Sequence, residues 1–171
     1  MAVRPIVVYG NPVLETEARE IREISPEVKN LVSDMIDSLK NQHGLGLAAP
    51  QVGVSLRIFI VDLSAIDITE TVKVFINPEI IETSGEVVME EGCLSFPGIF
   101  QRISRPEYVK VRATDLDGKV FTLEASGMLA RAIQHENDHL NGVLFVEYFS
   151  TLARTLVQGK LKKLKKMAAA S

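Results

Sequence analysis

The stretch Gln134 to Gly142, QHENDHLNG, places His135 and His139 four residues apart. On a helix that spacing stacks both imidazoles on one face, a turn apart, where they can grip one metal ion. Glu136 follows about 100° round the helix from His135. A carboxylate there can serve a metal-activated water without itself ligating the metal. The chemistry suggested is hydrolysis.

A helix is expected around these residues. Ser126 can cap it, Met128, Leu129, Ala132 and Ile133 form an apolar stripe at spacings of three and four, and Gly142 supplies a left-handed stop. Glu136 lies in line with Leu129, Ala132 and Ile133, so the face that should meet the core turns from apolar to ionisable partway along. Burying an unpaired carboxylate and two imidazoles is unfavourable, and a bound dication reverses the sign.

Two imidazoles do not complete a catalytic centre, which needs three protein ligands and an open position. A third histidine ten residues after His135 is excluded, because that position is Phe145, and the only acidic residue after Asp138 is Glu147. Upstream, Cys93 and His43 are the candidates of suitable chemistry. Cys93 stands in the polar, glycine-containing EGCLS; His43 stands in NQHG and reads equally well as a solvated side chain.

The 171 residues, 46% of them hydrophobic, suffice for one domain with a full core, expected to span residues 1–171. A single cysteine rules out an internal disulfide framework and agrees with a reducing compartment. The N-terminal apolar run, Ile6 to Tyr9, is far too short for a signal peptide, and no segment approaches a membrane span, so a cytoplasmic protein is expected. The net charge of −3 is uneven: residues 1–150 carry 13 basic against 22 acidic side chains, whereas residues 151–171 carry six basic groups and no acidic one. That basic arm serves either solubility or contact with an anionic surface such as RNA.

Asn11 and Pro12 open a helical turn, and Ser25 with Pro26 starts a helix through Asn41 that buries Val28, Leu31, Val32, Met35 and Leu39. After GLGLAAPQVG, strands are predicted at 57–62, 72–77, 79–82, 86–90, 108–114 and 119–123, followed by the central helix, an apolar run from Leu144 to Tyr148 and a tail helix. The tail is expected to face the body with Leu152, Leu156, Leu161, Leu164 and Met167, with a bend at Gly159. Strands in one block between helices argue for an α+β fold, with antiparallel sheets packed around the central metal-binding helix.

GLGLAAPQ (Gly44 to Gln51), EGCLS (Glu91 to Ser95) and QHENDHLNG, in this order and spacing, resemble the three motifs of the peptide deformylases. The resemblance extends over nearly the whole chain. It implies that Cys93, His135 and His139 hold one Fe2+, with Zn2+, Ni2+ or Co2+ able to take its place. It also implies that Glu136 is the general base and acid, with Gln51 and the backbone N–H of Leu94 as oxyanion donors. The implied substrates are nascent formyl-methionyl polypeptides, whose backbone would lie along Gly44 and Gly46. Their methionine side chain would enter a pocket for which Leu45, Met89, Met128 and Ala132 are candidates, with Arg131 and Glu91 beside it. Arg105 is implied to pair with Glu91 and steady the Cys93 loop. The basic tail would contact the ribosome, and no membrane is involved.

Two other readings compete. A metal peptidase of the general kind shares the helix motif but normally lacks a thiolate ligand. A non-catalytic binding protein would have no use for Glu136 or Gln51, and a purely structural metal site usually closes its fourth position with protein.

Overall fold

The computed structural model describes residues 2–170. Helix α1 (Pro26–Gln42) starts where expected: Ser25 Oγ accepts from the Val28 N–H at 3.3 Å, and Pro26 occupies the first turn without wasting a donor. It ends at His43, which adopts the left-handed conformation, φ 56°. The strands are β1 (Gly46–Ala48), β2 (Ile58–Val61), β3 (Lys73–Ser84), β4 (Val87–Gly92), β5 (Phe100–Arg105), β6 (Tyr108–Thr114) and β7 (Val120–Ser126). Helix α2 (Gly127–Leu140) and helix α3 (Thr151–Ala170) follow. Strands β1-β2-β3-β6-β7 form a five-stranded sheet and β4-β5 a separate hairpin, every ladder antiparallel.

The strand β2, Ile-Phe-Ile-Val, explains the layering. All four residues are buried, because both faces of the sheet are covered. Ile58 and Ile60 join Leu31, Val32, Met35 and Leu39 of α1. Phe59 and Val61 join Phe75, Val109 and Val111 against Ala130, Ala132, Ile133 and Leu140 of α2. A third cluster lies around Phe96, Ile99, Ile103, Phe145 and Phe149, and α3 docks there. No helix among the described residues is long and apolar enough to cross a membrane.

Several expectations are corrected. The two strands predicted at 72–77 and 79–82 are one, β3, which absorbs register shifts beside Asn77. Asn77 takes φ 49° and its side chain is bound at both ends to Ile21, accepting from the N–H and donating to the carbonyl. An asparagine tolerates the left-handed region better than most residues, so the chain kinks without ending the strand. Strands β1 and β5 lie outside the segments whose pattern predicts strand. The first is three residues of weak strand propensity, held by pairing with β2, and the second pairs residue for residue with β4. The apolar run at 144–148 folds as a 3-10 turn (Phe145–Tyr148), with Glu147 accepting from the Leu144 N–H. Ser126 provides no side-chain cap, since β7 runs directly into α2 through Gly127 at φ 61°. Gly142 does stop the helix, at φ 71°, and a Cβ there would meet the Glu15 carbonyl at 2.9 Å.

The tail helix runs unbroken through Gly159. Its buried face is Ala153, Leu161 and Leu164, with Val157 partly covered. Leu152, Leu156 and Met167, expected to face the body, are 70%, 76% and 48% exposed, because they lie off the stripe at 153, 157, 161 and 164 that packs into the cluster. That contact supports the loop after Cys93: Phe96 and Ile99 lie in the same cluster, and Lys160 Nζ donates to the Gly98 carbonyl. Accordingly, Leu164→Ala is expected to cost about 2–5 kcal/mol in urea unfolding, whereas Leu156→Ala should stay within about 0.5 kcal/mol. Equal effects would contradict this docking.

Candidate active site

Helix α2 carries its functional face into the protein, where Gln134, His135, Glu136, Asn137 and His139 are all buried. The hairpin β4-β5 lies over that face, and Cys93 follows directly from the end of β4. Cys93 Sγ comes to 3.4 Å from His139 Nε2, and the ligand atoms of Cys93, His135 and His139 all fall within 4.8 Å of one another. Spacing of this order suits three donors around one ion. His43, the other upstream candidate, is exposed at the end of α1 and outside the cluster.

The cluster is held from behind by Glu91, a buried carboxylate. It accepts from His135 Nδ1 at 2.9 Å, which leaves the other imidazole nitrogen for the ion. Arg105 binds both its oxygens, and Arg131 Nη1 makes a very short contact to Oε2. Arg131 Nη2 donates to the Val87 carbonyl at 2.7 Å, tying α2 to the hairpin. Burial pushes the Glu91 carboxyl up, but the hydrogen bonds from His135 and Arg105 outweigh it and hold the group at about 2. Arg105 reaches on to Asp138 at 2.9 Å, and Tyr148 donates to the same carboxylate oxygen at 2.8 Å. The sequence reading assigned no part to Asp138 or Tyr148. Asp138 could have been found, because Arg131, His135 and Asp138 stand at i, i+4 and i+7 on one helix face.

A cavity of about 390 Å³ opens beside the cluster. It is lined by Gly44, Leu45, Gly46, Gln51, Glu91, Cys93, Leu94, Met128, Arg131, Ala132, His135 and Glu136, with Phe96 and Phe100 toward the hairpin. Met89 does not line it. It lies two residues up β4 from Glu91, roughly 7 Å along the strand, half-buried opposite Ile103. Gln51 is anchored by its carbonyl oxygen, which accepts from the Ala48 N–H at 3.0 Å. Its amide nitrogen faces Ser95 Oγ at 3.2 Å and Cys93 Sγ at 3.6 Å. Glu136 is 5% exposed and its Oε1 has no hydrogen-bond partner. Burial pushes its carboxyl up to about 7, against the opposing charge of His135.

The arrangement makes Glu91 the centre of a compensated ionic cluster. Glu91→Gln would leave the buried Arg131 guanidinium without a carboxylate partner and Arg105 with Asp138 alone, at a cost of about 3–5 kcal/mol in chemical denaturation. A change under about 1 kcal/mol would show that the cluster does not hold the fold together.

Comparison with known proteins agrees with this geometry. A family model described as polypeptide deformylase matches residues 3–155. The peptide deformylase of Acidobacterium capsulatum is 45% identical over 166 residues, covering 97% of this chain and 98% of its own. That of Thermodesulfovibrio yellowstonii is 45% identical over 162 residues, covering 95% and 98%. A crystal structure of a peptide deformylase from Legionella pneumophila superposes with a TM-score of 0.90 at 39% identity, with 99% of each chain covered. One from Plasmodium falciparum, in complex with an inhibitor, gives 0.85 at 35% identity, covering 94% of this chain and 99% of that one. With matches of this extent along nearly its whole length, the chain belongs to the polypeptide deformylase family of enzymes.

Proposed function

We propose that this enzyme removes the formyl group from the first methionine of newly made polypeptides, releasing formate, with Cys93, His135 and His139 holding one Fe2+. The observation that carries the reading is the convergence of one thiol and two imidazoles beside a buried, unpaired carboxylate at the end of a cavity. When bound, such an ion polarises the formyl carbonyl and makes a water more acidic. Zn2+, Ni2+ or Co2+ would satisfy the same donors.

Glu136 takes the proton of the attacking water and returns it to the departing amine. Burial raises its proton affinity above that of an ordinary carboxylate, which suits a group that must do both. The amide nitrogen of Gln51, fixed through its own carbonyl, and the Leu94 N–H supply donors for the negative charge developing on the formyl oxygen. The strand β1 is an edge of the five-stranded sheet. A formyl peptide can therefore extend the sheet along Gly44 to Gly46 through main-chain bonds, while its methionine side chain enters between Leu45, Met128, Arg131 and Ala132. Recognition of this kind tolerates varied sequence after the first residue, as a general processing enzyme requires.

The experiment is formate release from a formyl-methionyl tripeptide, with metal analysis of protein prepared without air. Glu136→Ala should keep one iron per chain and lose about a hundred- to ten-thousandfold in kcat. An active variant would remove Glu136 as the base, and zinc in place of iron would remove the metal assignment.

The reading also places the enzyme in the cytoplasm, at the ribosome. Arg154, Lys162, Lys163 and Lys166 are exposed on α3. Replacing Lys162, Lys163 and Lys166 by Gln, which leaves Leu161 and Leu164 in place, should abolish salt-sensitive ribosome binding and spare activity on the tripeptide. Unaltered binding would return these lysines to a solubilising role.

A further inference from the structure

Glu136 is constrained from outside its own helix. Gly46, in β1 and paired with Val61, lies against its carboxylate arm. A Cβ on Gly46 would stand 2.7 Å from Glu136 Oε2, 2.9 Å from Cγ and 3.0 Å from Cδ. Each is closer than non-bonded atoms pack. Conformation does not explain the glycine, since Gly46, unlike Gly53 or Gly142, does not adopt a positive φ. What alanine lacks there is space, and the space is filled by the carboxylate. Nor does a hydrogen bond hold Glu136 Oε1, which is buried without a partner. Contact with the strand takes the place of a donor.

We propose that Gly46 is a positioning residue: its missing side chain forms the seat that aims the Glu136 carboxylate at the reacting water. The inference rests on the reading of Glu136 as the base. It differs from a role of Gly46 in pairing with the substrate backbone, because pairing uses the N–H and C=O, which alanine keeps. A methyl group at position 46 obstructs the carboxylate and leaves the ladder intact.

A double-mutant cycle separates the two roles. Wild type, Gly46→Ala, Glu136→Ala and the double variant are loaded with metal and assayed on a formyl-methionyl tripeptide. Gly46→Ala should lower kcat by about thirtyfold or more, keep KM within about threefold and retain full metal content. In the Glu136→Ala background the same substitution should change the residual kcat by less than about threefold. Equal losses in both backgrounds, or a loss confined to KM, would overturn the proposal in favour of substrate pairing.

A second readout does not depend on turnover. A crystal structure of Gly46→Ala should show the Glu136 carboxylate displaced by about 1 Å or more, as overlap with a methyl group demands, with His135 and His139 in place. A carboxylate in its original position would sink the idea whatever the assay gives. If Gly46→Ala is too unstable to crystallise, its unfolding cost is compared in wild-type and Glu136→Asp backgrounds. Aspartate is one methylene shorter and vacates the contact, so the cost should shrink there; an undiminished cost would also overturn the seat. Wild type that releases no formate would instead defeat the deformylase reading, while the crystal structure would still decide whether Gly46 seats Glu136.

Discussion

Every part of the site depends on one buried carboxylate. Glu91 sits in β4, two residues before Cys93, and its oxygens are shared between His135 on α2, Arg105 on β5 and Arg131 on α2. A lone carboxylate so placed would be driven toward its neutral form by burial; here the hydrogen bonds from His135 and Arg105 keep it charged. The result is geometric as well as electrostatic. Because Glu91 and Cys93 share one strand end, fixing Glu91 against α2 also sets where the Cys93 thiol meets the imidazoles. The thiol and the two imidazoles are more than 40 residues apart in sequence, and this carboxylate is what registers one segment on the other.

Around that anchor, the fold assigns each layer a distinct task. The five-stranded sheet takes the apolar half of α2 on one face and α1 on the other, so the helix is rigidly held by Ala130, Ala132, Ile133 and Leu140. Its ionisable half is then free to face the hairpin. The third cluster, with Phe96, Ile99, Phe145 and the docked stripe of α3, closes behind the Cys93 loop. The tail helix is thus two-sided, one stripe supporting the loop and the rest presenting positive charge. A truncation would confuse those two functions, whereas substitution of exposed lysines keeps them apart.

The legible features were those written in short-range pattern. Ser25 and Pro26 mark the start of α1 because a capping oxygen and a proline act within a turn. The stripe from Leu129 to Ile133, and its change of character at Glu136, is helical periodicity and needs no partner to be read. The features that escaped lack a local signal. Gly46 to Ala48 has no strand propensity of its own and becomes β1 by pairing with β2. The tail helix reads as apolar along Leu152, Leu156, Leu161, Leu164 and Met167, and only the body's shape selected Ala153, Leu161 and Leu164 for burial. Met89 has the right chemistry for the cavity, but the rise along β4 carries it past the lining.

The sequence by itself determined the chemistry available to this protein: two imidazoles one turn apart, a carboxylate between them, a single thiol, and the three motifs that carry the family likeness. Periodicity, capping residues and donor types are properties of neighbouring residues, so they survive without coordinates. Only the tertiary structure brought Cys93, and not His43, beside the two imidazoles, set Gly46 against Glu136, and drew Arg131, Asp138 and Tyr148 into the cluster around Glu91. Those are contacts between segments distant along the chain. Their distances follow from how the sheet, the hairpin and α2 pack together, which no local pattern encodes.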